Sequence, residues 1–258
     1  MTEMRVASLA SGSKGNAYLV EQDGEALLVD CGLSFKVLKS RLEALFESNL
    51  PRIHGVLLTH SHSDHVSGLR PLISKLGLTI YANSMTAEAA AVQEKLDGDV
   101  FACFENNQTF EVGPFQIESF PVPHDTSDPV GYTIRGNLVY FHATDVGVPL
   151  DSIGKKLVDA EIATLESNHD CEMLKSSARP YELIRRISGP RGHLSNDESA
   201  ELVRRFASPR LKKLALAHLS QDCNEPHLAL AALRDALNDA KLNAVALKVL
   251  SQNEPVWI

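Results

Sequence analysis

Residues Gly55–Leu69, GVLLTHSHSDHVSGL, pass from an unbroken apolar run into His60, His62, Asp64 and His65. With Pro51 and Ile53 ahead of it, the apolar run reads as a buried strand, and the polar cluster falls where that strand ends. His60 and His62 stand two residues apart, so on a tight loop both imidazoles can turn toward one cation. Asp64 and His65 leave the loop toward a neighbouring point. Imidazole together with carboxylate suits zinc, iron or manganese better than calcium or magnesium. A solvated polar loop is the plainer alternative, and the density of ligand-type side chains favours the metal.

Outward from this point, strands and helices alternate. Upstream, RVASLA (5–10), AYLVEQ (17–22) and EALLVD (25–30) read as an antiparallel meander, separated by SGSKGN and the Asp23-Gly24 turn signal. Phe35, Val37, Leu38, Leu42, Leu45 and Phe46 recur at helical spacing behind Ser34, a capping residue, which predicts a helix over 34–48. Downstream the pattern predicts helices over 66–77 and 85–96, a strand at TIYA (79–82), and hairpin strands within 101–120. Strands at 130–136 and 137–144 and a helix over 149–158 come next, then a strand at EIATLES (161–167). Helices at 180–187, 197–207 and 225–240 and strands at 212–220 and 243–250 complete the chain. Polar residues collect where strands end, which predicts one layered α/β domain over 1–258 with its site on loops at one rim.

Composition sets the background. Hydrophobic residues at 44% and charged residues at 22% are those of a globular protein. A net charge of -8 speaks against a broad basic surface for nucleic acid and leaves room for a local one. Basic residues are dispersed, with Arg-Arg pairs only at Arg185-Arg186 and Arg204-Arg205. Cys31, Cys103, Cys171 and Cys223 make no C-x-x-C pair, so free thiols in a reducing compartment are expected. No apolar leader and no run of about 18 apolar residues is present, so the expectation is a soluble, cytoplasmic protein without a membrane partner.

Further ligand-type residues stand where later strands end: His124 after FPVP, Asp145 after VYFHAT, and His218 in LALAHLS. Together with Asp30 in LLVDCG and the THSHSDH block, this order resembles the metallo-β-lactamase fold superfamily in its two-metal hydrolase branch, over most of the chain. The resemblance implies an α/β fold, a four-layer αββα sandwich with the metal site at the sheet edge. Residue by residue it implies His60, His62 and His124 on one ion, Asp64, His65 and His218 on the other, and Asp145 bridging them. Asp30 then braces the histidine loop. SLASGSKGN (8–16), ESNHD (166–170), GHLSN (192–196) and AHLSQDCN (217–224) are similar to the YycJ/WalJ/VicX type within that superfamily, a group associated with five-prime exonuclease activity on DNA.

The resemblance also implies a mechanism. Two divalent ions per chain, zinc or manganese with iron as the alternative, hold a bridging hydroxide that attacks phosphorus, oriented by Asp64 or Asp145. Glu166 and His193 correspond in order to the pair that helps the leaving group depart in the tRNase Z branch. A salt-bridged pair that merely positions the next helix is the competing reading of those two residues. Ser195 and Glu198 form an S-x-x-E capping box, and the helix start it marks favours a phosphate, so Ser195 is a substrate-binding candidate. SGSKGN lacks the spacing of a nucleotide P-loop and reads as a hairpin loop offering Ser13, Lys14 and Asn16 to a phosphate. His169 reads as substrate-facing or supporting, Cys223 as a loop thiol, and His54, His142 and His227 as structural or surface residues.

The reading is a five-prime to three-prime exodeoxyribonuclease acting on DNA ends, with RNA as a second substrate. Gripping one terminus suits a chain with no long basic track. Alternatives are a thioesterase, lactonase or small phosphodiesterase of the same fold, and a non-catalytic regulatory partner of a two-component system. The Glu166 and His193 pair favours phosphodiester chemistry, and the complete ligand set disfavours the regulatory role. Without a Pro/Gly-rich arm or an inserted domain, tRNA maturation and large RNA-processing roles fall in rank.

Overall fold

Asp23 and Gly24 both take positive φ, 54° and 81°, as the right-handed twist of a two-residue hairpin requires. They join β2 (Ala17–Gln22) to β3 (Glu25–Val29), with Tyr18 opposite Val29 and Gln22 opposite Glu25. The computed structural model describes residues 2–47 and 49–258, so the last residue of the predicted 34–48 helix, Ser48, lies outside them. Its strands fall into two seven-stranded sheets. The chain divides into two compact units, the first comprising Met1–Phe120, Thr126–Leu138 and Ser251–Ile258, the second Pro121–Asp125 and Val139–Leu250.

In the first unit the predicted meander is present: β1 (Arg5–Ala10) lies antiparallel to β2, and β2 to β3. From β3 the pairing turns parallel through β4 (Arg52–Leu57), β5 (Thr79–Asn83) and β6 (Phe101–Phe104). Parallel neighbours need crossovers, supplied by α1 (Phe35–Phe46), α2 (Ser63–Val66) with α3 (Leu69–Leu76), and α4 (Ser84–Glu94). Ser34 caps α1, which buries Leu38 and Leu42 in the apolar core that also holds Leu28, Val56, Leu72 and Ile80. Each such fully buried side chain stabilises the fold by about 1.5–3 kcal/mol. The outer edge of β1 is closed by β14 (Val256–Trp257), which pairs antiparallel with it. Arg5 stacks on Trp257 at 4.4 Å, and Phe46 meets Trp257 edge-on at 5.2 Å.

Two elements of this unit differ from the sequence expectation. The single helix expected over 66–77 is broken at Ser67-Gly68, because Gly68 lies on the backbone after β3: its N–H donates to Cys31 O at 2.8 Å, and a Cβ there would stand 1.9 Å from Leu33 O. Phe101–Phe104 is not part of a hairpin and instead extends the parallel run as β6. Only β7 (Thr109–Val112) and β8 (Phe115–Pro121) form the hairpin, turning at Gly113, φ 56°. Strand β9 (Val130–Arg135) comes after it.

In the second unit β10 (Val139–Ala143), β11 (Ile162–Glu166), β12 (Lys213–Ala217) and β13 (Ala246–Val249) pair in parallel, each with the next. VYFHA and IATLE are buried along their whole length, and near-continuous apolar runs are what a parallel sheet covered on both faces selects. The crossovers contain α5 (Asp151–Leu157), α8 (Asn196–Phe206) and α9 (Pro226–Asp239). Two short helices, α6 (Cys171–Ser176) and α7 (Tyr181–Ile187), stand between β11 and α8. Sequence periodicity found α7 and missed the six-residue α6, which is set by its cap: Asp170 accepts from Glu172 N at 3.0 Å and Met173 N at 2.8 Å. Among the described residues no helix is long and apolar enough to cross a membrane.

Candidate metal centre

In the first unit three loops pack backbone against backbone. Asn16 N donates to Asp64 O (2.7 Å), Gly32 N to Asn16 O (2.8 Å) and Cys31 N to His65 O (2.8 Å). A Cβ on Gly32 would stand 1.7 Å from Asp64 O, so only glycine lets the DCGL loop support the histidine loop this closely. Asp30 takes a left-handed φ of 61° at the end of β3. Its carboxylate accepts from Thr59 N (2.9 Å), Thr59 Oγ1 (2.8 Å) and His65 Nδ1 (2.8 Å). Because the Thr59 hydroxyl proton goes to Asp30, Thr59 Oγ1 accepts from His60 Nδ1 at 3.0 Å. His60 and His65 therefore carry their proton on Nδ1 and their lone pair on Nε2, the arrangement of a metal-ligating imidazole braced from behind. Their ring centroids are 4.0 Å apart, and those of His60 and His62 are 4.8 Å apart.

The SGSKGN loop reaches this cluster through Asn16. Its amide donates to Asp64 Oδ2 (3.1 Å) and His65 Nε2 (3.0 Å), and its Oδ1 accepts from Gly12 N (2.9 Å). Ser13 and Lys14 are exposed at the loop tip, where Lys14 N donates to Gln252 Oε1 at 2.8 Å.

The second unit brings Asp145, Glu166, His193 and His218 together, one ligand-type atom of each lying within 4.8 Å of the others. Glu166, fully buried at the end of β11, accepts from His193 Nδ1 (2.7 Å) and His218 Nδ1 (3.2 Å) through Oε1. Its Oε2 accepts from Val146 N (2.7 Å) and Leu194 N (3.1 Å). Burial pushes this carboxyl up, but the His193 charge and the hydrogen bonds from His193 and His218 together outweigh it and hold Glu166 down at about 2. An ionised carboxylate only accepts, so both rings donate from Nδ1. His124 donates from Nδ1 to Gly192 O at 2.9 Å. Asp145 Oδ1 stands 3.5 Å from His218 Nδ1, 3.6 Å from His193 Nδ1 and 3.8 Å from His124 Nε2. Asp145 and His218 repeat the left-handed backbone of Asp30, at φ 57° and 56°. That conformation costs about 1–2 kcal/mol for a residue with a side chain, and Asp, Asn and His are the types that tolerate it best.

Behind these residues lies a buried polar network to which the sequence reading gave no role. Asn168 Nδ2 donates to His218 O (2.8 Å), and Asn224 Nδ2 donates to Ser167 O (2.9 Å) and Asn168 O (3.0 Å). Asn196 accepts from Ser167 Oγ at 2.6 Å and exchanges amide bonds of 2.9 Å with Asn224, while Ser199 Oγ donates to Glu166 O. The signal was present: ESNHD, GHLSN and AHLSQDCN each set small amide or hydroxyl residues directly behind a strand or loop end. Ser195 is committed to the α8 cap, donating to Glu198 Oε2 (2.9 Å) and accepting from Glu198 N (3.2 Å). His169 is buried, its carbonyl accepting from Asn196 N at 2.9 Å. Cys223 is buried, and its carbonyl accepts from Asp170 N at 2.9 Å.

Two mixed sheets with flanking helices, and imidazoles and carboxylates gathered at strand ends, define the class: an α/β protein fitted for divalent metal. The chain belongs to the metallo-β-lactamase superfamily, with residues 25–218 matching the beta-lactamase superfamily domain. It is 36% identical over 238 residues to exodeoxyribonuclease WalJ of Streptococcus pneumoniae serotype 2 (strain D39), covering 91% of this chain and 88% of that one. Exodeoxyribonuclease YycJ of Bacillus anthracis is also 36% identical, over 239 residues, 90% of this chain and 88% of that one. In fold the chain superposes on the crystal structure of Zn(2+)-bound PqqB from Methylobacterium extorquens with a TM-score of 0.72 at 17% identity, over 98% and 99% of the two chains. The family and the α/β fold class expected from the sequence are those observed.

Proposed function

We propose that this chain is a metal-dependent phosphodiesterase and, within that class, a five-prime to three-prime exodeoxyribonuclease acting on DNA ends. The observation that carries the reading is the Glu166–His193 pair, 2.7 Å apart and within reach of Asp145 and His218. The identity to two proteins named exodeoxyribonucleases supports the same substrate class. The whole of 1–258 is taken as one catalytic domain, and four free thiols suit work in the cytoplasm.

His60, His62 and His124 are the proposed ligands of one divalent ion, Asp64, His65 and His218 of a second, and Asp145 of both, with zinc or manganese as the metal. The donors fit, since His60, His65, His124 and His218 all have Nδ1 held by a local oxygen. Bound there, the ions would supply Lewis acidity and a nucleophile at neutral pH. Asp64 orients the attacking water. Glu166 holds the His193 ring by Nδ1, so that Nε2 can hand a proton to the departing alkoxide. Asn16, Ser13 and Lys14 border the phosphate, Asn16 by fixing Asp64 and the other two from the loop tip, and Ser195 acts by fixing the start of α8 behind His193.

The test is a time course of zinc- or manganese-loaded protein on end-labelled DNA and RNA, with and without a five-prime phosphate. Mononucleotides should leave stepwise from the five-prime end of DNA, and Asp64→Ala should abolish the reaction. His193→Ala with metals retained should slow it by about 10²–10⁴-fold, and by less on a p-nitrophenyl ester, whose leaving group needs no proton. No cleavage under either metal would sink the nuclease reading.

A further inference from the structure

Helix α7 lies on the surface: none of its seven residues is fully buried, with Glu182 in its first turn and Arg185 and Arg186 in its last. From Arg179 to Arg191 there are four arginines, of which Arg179 pairs with Asp222 at 2.8 Å, Arg186 with Asp125 at 2.6 Å and Arg185, more loosely, with Glu182 at 3.8 Å. Tyr181 is 71% exposed. Arg185, one helical turn along the same face, has a side chain 68% exposed. Arg191 is exposed and makes no ion pair among the described residues. Single exposed aromatics and arginines are ordinary on a protein surface. What sets these apart is where the helix ends.

The C-terminal end of α7 is tied to the catalytic candidates. His193 N donates to Ile187 O at 2.9 Å, and the turn between them is tight enough that a Cβ on Gly192 would stand 2.0 Å from the same oxygen. Gly192 O in turn holds His124 Nδ1, and Arg186 Nε donates to Asp125, the next residue, at 2.6 Å. Tyr181 and Ile187 are separated by about 9 Å along the helix. Helix α7 is thus long enough to run beside the nucleotides next to a scissile phosphate held at His193.

The geometry points to this face as a platform for single-stranded nucleic acid, Tyr181 stacking on a base and Arg185 and Arg191 holding phosphates. Stacking on an aromatic ring is tolerant of sequence, and phosphate contacts are the salt-sensitive part of such binding. The platform rests on the nuclease reading and adds to it where the substrate strand runs.

The experiment compares the metal-loaded full chain with Tyr181→Ala and with the double variant Arg185→Ala/Arg191→Ala, on a five-prime-phosphorylated, fluorescein-labelled single-stranded DNA 20-mer and on bis(p-nitrophenyl) phosphate. Tyr181→Ala should raise KM for the 20-mer by about tenfold, with Tyr181→Phe restoring it. The double variant should reduce the slope of log affinity against log salt by about 1.4, near 0.7 for each phosphate no longer neutralised. Both variants should hydrolyse bis(p-nitrophenyl) phosphate as the wild type does. Wild-type KM and salt slope in the variants would overturn the platform and leave the nuclease reading standing. Equal losses on both substrates would also overturn it, showing that α7 acts only by holding His193. A wild type that hydrolyses bis(p-nitrophenyl) phosphate but no nucleic acid would sink the nuclease reading, and the platform with it.

Discussion

A buried carboxylate behind an imidazole appears once in each unit: Asp30 holds His65, and Glu166 holds His218 as well as His193. The device fixes which nitrogen carries the lone pair, and removing such a partner typically costs 10–100-fold in metal affinity. Glu166→Gln is accordingly expected to weaken zinc binding by about that factor, read by competition with a chromogenic chelator. The same variant has a signature in acid. Glu166 is depressed from an ordinary 4.5 to about 2, so the stability it contributes is full above about 4.5 and is lost as pH falls toward 2. Metal-free wild type monitored by circular dichroism should lose stability across that window, and Glu166→Gln should lack this component. The residue types of the candidate site were legible in the sequence because imidazoles and carboxylates clustered at strand ends are the types a divalent metal would demand. The left-handed backbone at Asp30, Asp145 and His218 was not, since those residues adopt it only when the surrounding loops impose it.

At the scale of elements, strands and long helices obeyed their periodicity, and α8 began where its capping box said it would. Ser195→Ala should cost about 1 kcal/mol in urea unfolding. Because Leu194 N and Ser199 Oγ both donate to Glu166, the loss should be accompanied by reduced turnover. What the sequence concealed were short or contact-defined pieces. The break between α2 and α3 depends on the backbone that Gly68 meets, and α6 is too brief to show a period. The parallel partner of β6 lies far away in the chain order that periodicity reads, beyond the intervening α4.

For the molecule as a whole, the largest unforeseen feature is the return of the C-terminal segment to the first unit. Arg41 donates to Leu9 O (2.6 Å), Gln252 O (3.1 Å) and Asn253 O (2.9 Å), joining α1, β1 and that segment. A variant ending at Leu250 should lose the bonds to Gln252 and Asn253 together with β14, unfold at lower urea than the full chain, and aggregate through the bared edge of β1. The full chain's one tryptophan, Trp257, packs on Phe46 here, so its fluorescence reports the first unit while circular dichroism reports both. The same return has a consequence during synthesis. Strand β1 (Arg5–Ala10) leaves the ribosome about 250 residues ahead of its outer neighbour, β14 (Val256–Trp257). At roughly 5–20 residues per second that edge stays uncovered for on the order of ten seconds or more. Over that interval the nascent chain depends on whatever shields an open strand edge, and its yield in a cell is set by translation speed and chaperone supply as well as by the stability of the finished fold.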